Sequence, residues 1–313
     1  MPVLICGSLA FDTIMVFQDH FKHHILPEKT HMLNVSFLVP ELRRELGGCA
    51  GNIAWNMHLL GDDPLIMATC GMDFSTYAEH LDRHHISCKH IRSINGSHTG
   101  QAFITTDLAD NQITAFHPGA MNFSHFNHVN EATGCTLGIV APDGREGMLQ
   151  HAREFYAAGI SFIFDPGQGL PMFDGDELLT FIDMADYVTV NDYEAELLQE
   201  KTRLSLTELA SRVRALVVTR GERGSQILAD EQLFDIPCVQ ADRVIDPTGC
   251  GDAYRAGLIH GIVHQLGWRR TGQLASLMGA IKIAQRGAQN HTPTIDAICQ
   301  LYQQTFGEAL RKR

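Results

Sequence analysis

Asp246-Pro247-Thr248-Gly249-Cys250-Gly251-Asp252-Ala253-Tyr254-Arg255-Ala256-Gly257-Leu258 is the stretch of this 313-residue chain that decides its fold. Gly249 and Gly251 permit tight backbone geometry, and the residues after Gly251 have a helical pattern. Small residues just ahead of a helix let several N–H groups converge on one anion, while the helix dipole adds positive potential. Asp252 then stands at the helix start, beside the bound anion. The plainer alternative is an aspartate that only caps the helix.

Outward from this turn, strand and helix alternate along the chain. Near-continuous apolar runs at 3–6, 64–69, 137–141, 160–164, 187–190 and 216–219 read as strands buried on both faces, the mark of a parallel sheet. Helical patterns fall between or after them at 50–60, 77–84, 147–157, 177–185, 192–201, 206–214 and 274–285. The expected body is therefore α/β, a mainly parallel central sheet with helices on both faces, spanning 1–313 as one domain. Two segments break the rhythm. Residues 13–39 include an apolar run at 32–39, and residues 99–117 read as a hairpin of 100–106 and 112–117 joined through Leu108, Ala109, Asp110 and Asn111. They are expected to pair as a small discontinuous β-sheet lid, the alternative being an edge extension of the main sheet.

Bulk properties exclude several classes. Hydrophobic residues make up 44% and charged residues 19%, which suits a globular chain. A formal charge of −12 disfavours nucleic acid and anionic membranes as partners. No apolar run approaches the length of a membrane span and the start lacks a signal pattern, so a cytoplasmic location is expected. The eight cysteines lack any C-x-x-C pair and read as reduced packing thiols, and the 17 histidines form no zinc-binding spacing.

The 246–252 run resembles the second signature of the ribokinase/PfkB carbohydrate and nucleoside kinases, usually D-T-x-G-x-G-D. Asp246, Thr248, Gly249, Gly251 and Asp252 match, and Pro247 replaces the usual Thr. The resemblance implies a ribokinase-like fold, with the amides of Gly249, Cys250, Gly251 and Asp252 as an anion hole and Asp252 as the base that deprotonates an acceptor hydroxyl. Phosphoryl transfer consists mainly of positioning and charge stabilisation, which suits such a turn. Gly47-Gly48-Cys49-Ala50-Gly51-Asn52 is similar to the first signature, with Gly48 and Asn52 at the substrate, and Gly7-Ser8-Leu9-Ala10-Phe11-Asp12 to the motif whose Asp holds two sugar hydroxyls. Asn191-Asp192-Tyr193-Glu194 matches N-x-x-E, which implies Mg²⁺ near Glu194, held indirectly. Thr219-Arg220-Gly221-Glu222-Arg223-Gly224 resembles the turn that borders ATP, so Thr219, Gly221 and Gly224 join Asn191 and Thr248 as nucleotide contacts. Gln289, in Gly287-Ala288-Gln289-Asn290, corresponds to the loop near the adenine and, in some members, a monovalent cation, which places K⁺ near Asp246.

Within that family the chain looks most like the bacterial adenosine kinases of ribokinase type, on 7–12, Leu26-Pro27-Glu28, 36–39, 105–107, 116–121, 191–194 and 246–249. The resemblance implies transfer from ATP to the 5′-hydroxyl of a nucleoside, adenosine giving AMP, and leaves room for a homodimer through the lid. Asp12 and Asn52 would hold the ribose hydroxyls, Ser8 and Ser36 would approach the nucleoside, Phe116 would stack on the base or else pack the lid, and Gln168 would lie near the base. Two departures point to altered base selectivity. Ala102 stands where the subgroup has a second aromatic, with Phe103 one position later, and Leu170, Pro171 and Met172 occupy the region of an expected Arg. A sugar kinase of the same family and a catalytically silent nucleoside-binding protein are the competing readings.

Overall fold

The computed structural model describes residues 2–25, 34–109 and 111–310. Thirteen strands occur among them: β1 (Pro2–Cys6), β2 (Ala10–Val16), β3 (Glu41–Gly47), β4 (Asp63–Cys70), β5 (Ile91–Ser93), β6 (Gly100–Thr106), β7 (Gln112–His117), β8 (Leu137–Val140), β9 (Ser161–Phe164), β10 (Tyr187–Asn191), β11 (Ala215–Thr219), β12 (Ser225–Ala229) and β13 (Gln232–Ile236). The α-helices are α1 (Cys49–Leu59), α2 (Ser75–Arg83), α3 (Arg145–Ala158), α4 (Gly175–Met184), α5 (Asp192–Thr202), α6 (Leu206–Ala210), α7 (Cys250–Val263), α8 (Trp268–Ile283) and α9 (Ile295–Phe306).

Nine strands form one sheet in the order β13-β12-β11-β10-β9-β8-β1-β4-β5, parallel from β11 to β5 and antiparallel at β12 and β13. The apolar runs are continuous because both faces are covered. Val3, Ile5, Ile66, Ile139 and Val217 pack in a core with residues of α1 and α7. Leu4, Cys6, Val140, Phe164, Val190 and Val218 pack with residues of α3, α4 and α5 on the other side. A parallel arrangement brings the strand ends after Cys6, Val140, Phe164, Asn191 and Thr219 to one edge, where open α/β sheets place their ligands. No helix among the described residues is long and apolar enough to cross a membrane.

The small sheet is four-stranded and separate, in the order β3-β2-β6-β7. Its hairpin matches 100–106 and 112–117, and residues 13–16 of the first segment pair with 103–106 through β2 and β6, but the rest of that segment differs from the expectation. Residues 34–39 form no strand, Leu26-Pro27-Glu28, Met32, Leu33 and Asp110 lie outside the described residues, and the strand on the other side of β2 from β6 is β3. The sequence of β3, Glu-Leu-Arg-Arg-Glu-Leu-Gly, is too charged to stand out as a strand, whereas 34–39 supplies Phe37 to an aromatic cluster with Phe17 and Phe21. The β12–β13 hairpin also lacked a turn signal. Asp230 and Glu231 adopt φ of 51° and 58°, positions usually given to Asn or Gly.

Candidate active site

The 246–252 turn is assembled by its own side chains. Asp246 accepts the Thr248 amide through Oδ1 at 2.9 Å and the Gly287 amide through Oδ2 at 2.8 Å, clamping the turn to the loop after α8. Those amides hold the Asp246 carboxyl below its ordinary value against the upward push of burial. Gly249 is the residue before α7, at φ 78°, and a Cβ there would lie 2.8 Å from that of Ala288. Both facts require glycine. The Cys250 amide turns back to the Pro247 carbonyl at 3.1 Å, so it is committed within the turn. Gly251 and Asp252 belong to the first turn of α7, whose amides have no carbonyl in helical register.

Asp252 is the third residue of α7, not its cap, which removes the capping alternative. Asn52 Nδ2 donates to its Oδ2 at 2.8 Å. Burial pushes the Asp252 carboxyl up to about 6, opposed by the Asn52 hydrogen bond and the charge of Arg255. Below the turn, Arg255 makes a buried two-pronged pair with Asp165, Nη2 to Oδ1 being 2.7 Å, and its Nη1 donates to the Gly251 carbonyl at 3.2 Å. Such a pair is costly to bury and strongly destabilising to break. Sequence reasoning assigned neither residue, although an Arg among the small and apolar residues of α7 was visible.

A hydrogen-bonded chain leads from Asp252 toward the small sheet. Gln289 Nε2 donates to Asn52 Oδ1 at 2.9 Å and meets the Tyr77 hydroxyl at 2.6 Å, and Tyr77 donates to the Gly47 carbonyl at 2.9 Å. The buried side chain of Gln289 is thus tied to Asn52. Gly48, at φ 86°, presses on Ser8 and Ala10: a Cβ would come within 2.6 Å of the Ser8 carbonyl. Ser8 in turn accepts the Cys49 amide through Oγ at 3.2 Å.

Strand register sets out the face of the small sheet. Glu45 pairs with Asp12, Asp12 with Ala102, and Ala102 with Phe116, so these four side chains share one face in a single row. Phe103 pairs with Thr13 and Ala115 and points to the opposite face, so no shifted register brings it beside Phe116. Burial, then the charges of Asp246 and Glu45, push the Asp12 carboxyl up to about 6. Asn290 Nδ2 donates to Glu45 Oε2 at 2.8 Å, which ties the row to the loop clamped by Asp246. Phe116 is 52% exposed. Ser36 is exposed in the irregular stretch before β3, next to Phe37 of the aromatic cluster.

Beyond Asp165 lie the remaining candidates. Asn191 and Thr219 are register partners at the ends of β10 and β11. Asn191 and Glu194 cap α5 reciprocally, each side chain accepting the other's amide at 2.8 Å, so the helix-start reading of this pair holds in the structure. Burial pushes the Glu194 carboxyl upward, with Asp165 adding to the push. Its oxygen donors are the ligand type Mg²⁺ takes, and the amide uses only Oε2, so the residues fit an ion held indirectly. Gly221 and Gly224 shape the turn after β11, with Arg220 N bonded to the Gly224 carbonyl at 2.7 Å. Thr248 and Gln168 are exposed, Gln168 in the turn after β9.

A monovalent metal ion at Asp246 does not fit. The Lys282 ammonium, on a fully buried side chain of α8, already donates to the Asp246 carbonyl at 2.7 Å and the Gln285 carbonyl at 3.1 Å. At the other end of α7, Asp62 bridges His260 and His264 at 2.8 Å each, a grouping that the spacing of the two histidines could have suggested.

Comparison with known proteins agrees with this architecture. The pfkB family carbohydrate kinase model matches residues 10–295. A nucleoside kinase of Methanocaldococcus jannaschii is 31% identical over 276 residues, covering 87% of this chain and 90% of that protein. The structure of Burkholderia thailandensis nucleoside kinase in complex with inosine is 51% identical, with a TM-score of 0.90 over 98% of this chain and 99% of that one. A ribokinase from Thermotoga maritima, 19% identical with a TM-score of 0.78 over 97% of this chain and 99% of that one, shares the fold. The chain belongs to the pfkB family of carbohydrate kinases and is a phosphotransferase with a hydroxyl acceptor.

Proposed function

We propose that this protein is a nucleoside kinase that transfers the terminal phosphoryl group of ATP to the 5′-hydroxyl of a purine nucleoside, with adenosine giving AMP as the principal reaction. The observation that carries the reading is the chain from Asp252 through Asn52, Gln289 and Tyr77 to Gly47, which couples a carboxylate at a helix start to the sheet bearing Asp12 and Phe116. The resemblance to nucleoside kinases, one of them solved with inosine, supports the acceptor class.

In this reading Asp252 takes the proton of the 5′-hydroxyl as that oxygen attacks the phosphorus. Its raised pKa makes it a better proton acceptor near neutrality than an ordinary aspartate. The amides of Gly249, Gly251 and Asp252 receive the charge that develops on the transferring group, while Cys250 closes the turn and Arg255 holds it from below. Asp12 binds the ribose hydroxyls, with Asn52 between them and Asp252. Ser8 and Gly48 form the floor, Ser36 and Gln168 border the nucleoside, and Phe116 stacks on the base. Asn191, Thr219, Gly221, Gly224 and Thr248 border ATP, and Gln289 positions Asn52. Mg²⁺, when bound, neutralises charge on the phosphates, and Asn191 and Glu194 would hold it through water. The four-stranded sheet closes over the nucleoside as a lid within one domain. On its outer face Leu42, Phe103 and Ile113 are exposed, which favours a homodimer through the lid. The protein would work in the cytoplasm, returning free purine nucleosides to nucleotides, as in purine salvage.

The test is a substrate panel with Mg-ATP, reading ADP release for adenosine, inosine, guanosine, cytidine, ribose and fructose. Purine nucleosides should exceed the free sugars in kcat/KM by about one to two orders of magnitude, the worth of one stacked base. A preference for ribose or fructose would turn the assignment to the sugar-kinase reading, and absence of turnover with every acceptor to a silent binding protein.

A further inference from the structure

Among the described residues Lys282 is the one lysine with a fully buried side chain, and it lies in an otherwise apolar stretch of α8. Burial of an unpaired ammonium is expensive, so its contacts identify what it does. It donates to two backbone carbonyls, Asp246 at the start of the phosphate-binding turn and Gln285 just past the end of α8. The same two segments are joined again by the Asp246 carboxylate on the Gly287 amide, and by the amides of Ile245 and Asp246 on the Ile283 carbonyl. The ammonium therefore sits at the C-terminal end of α8, where the loop that follows meets the turn, a place whose dipole favours a cation. Burial lowers the pKa of this ammonium, and Asp246, then Cys250 and Glu45, oppose that fall.

Converging backbone carbonyls are also the ligands that hold an inorganic monovalent cation by replacing its water shell. A tethered ammonium offers the same single charge and satisfies the same oxygens without depending on the salt in solution. We propose that Lys282 is a built-in monovalent cation, which orders the Asp246–Asp252 turn and makes phosphoryl transfer independent of K⁺. Lys282 is a positioning residue in this scheme: it touches neither acceptor nor phosphate, and acts through the turn. The inference rests on the assignment of that turn to phosphoryl transfer.

The experiment measures kcat with Mg-ATP and adenosine or inosine at constant ionic strength in choline, Na⁺, K⁺ or NH₄⁺ salts. The wild-type protein should turn over equally in choline and K⁺. Lys282→Ala should lose about 100-fold in kcat in choline, the effect of a turn displaced by about 1 Å, and should recover with K⁺ or ethylammonium. A wild-type protein strongly activated by K⁺ would overturn the proposal. So would a variant that keeps its rate in choline, or one that loses it and recovers with neither cation. Should Lys282→Ala fail to fold, the wild-type cation series decides alone. Failure of the nucleoside-kinase reading looks different, since no salt would then support transfer to any nucleoside.

Discussion

The start of α7 and the four-stranded sheet are linked through the loop after α8, which Asp246 clamps to the turn and Asn290 ties to Glu45, yet they are held in different ways. At α7 nearly every polar group near Asp252 is committed: Asn52, Gln289 and Tyr77 form one buried bonded chain, and Asp165 with Arg255 a buried pair beneath the turn. In the sheet, β7 is exposed at every position and Phe116 is half-exposed. The difference separates two tasks. Transfer of a phosphoryl group rewards charges fixed before substrate arrives, because no reorganisation is then needed during reaction. Recognition of a base rewards surface that becomes buried only when the base is present.

The largest expected effect lies on the preorganised side. Asp252→Asn keeps shape but removes the proton acceptor, and should lower kcat by roughly 100- to 10,000-fold with nucleoside affinity by calorimetry nearly unchanged. The pH dependence follows from the same group. Asp252 must be ionised to act and its carboxyl is pushed up to about 6, so wild-type kcat should fall as pH drops through 6 and level off above it. A profile flat down to pH 4.5 would take the base role away from Asp252.

Asp12 stands where the two regions meet. Asp12→Ala should lower kcat/KM for nucleosides by about 10- to 150-fold, the range for hydrogen bonds to a charged group, with the KM for ATP unchanged. Equal weakening of both substrates would make Asp12 a support of the fold.

Smaller effects belong to the exposed side. Phe116→Ala should remove about 1 to 3 kcal/mol of stacking, seen as weaker purine nucleoside binding, while ribose is indifferent. If nucleoside KM stays put, Phe116 packs the lid and does not read the base. Ala102→Phe should tighten adenosine binding by a few-fold, on the order of a cross-strand aromatic contact, because the register puts position 102 directly beside Phe116. Looser binding would show that the space opposite Phe116 is needed by the substrate itself.

These two regions were also unequally readable from the residues. The turn at 246–252 was legible because Gly249 and Gly251 have few other uses ahead of a helix, and the hairpin because its two strands flank a polar turn. Period-two alternation placed Phe103 off the face of Phe116, as the register has it. What could not be read was pairing across distance. Arg255 and Lys282 stand out as lone charges in apolar helices, but Asp165 lies 90 residues from Arg255, and Lys282 is satisfied by carbonyls, which every residue has. The bond of Gln289 to Asn52 was hidden for the same reason, since 237 residues separate the two. The charged strand β3 and the Asp230-Glu231 turn give no local signal because tertiary pairing overrides their propensity.

The central claim is tested most directly by the identity of the product. Phosphorus NMR of the wild-type protein incubated with Mg-ATP and adenosine should show a phosphomonoester coupled to the 5′ protons of the nucleoside, accumulating in equal amount with ADP. ADP formed without any nucleoside phosphate, or phosphate carried on the 2′- or 3′-oxygen, would contradict the placement of the 5′-hydroxyl at Asp252.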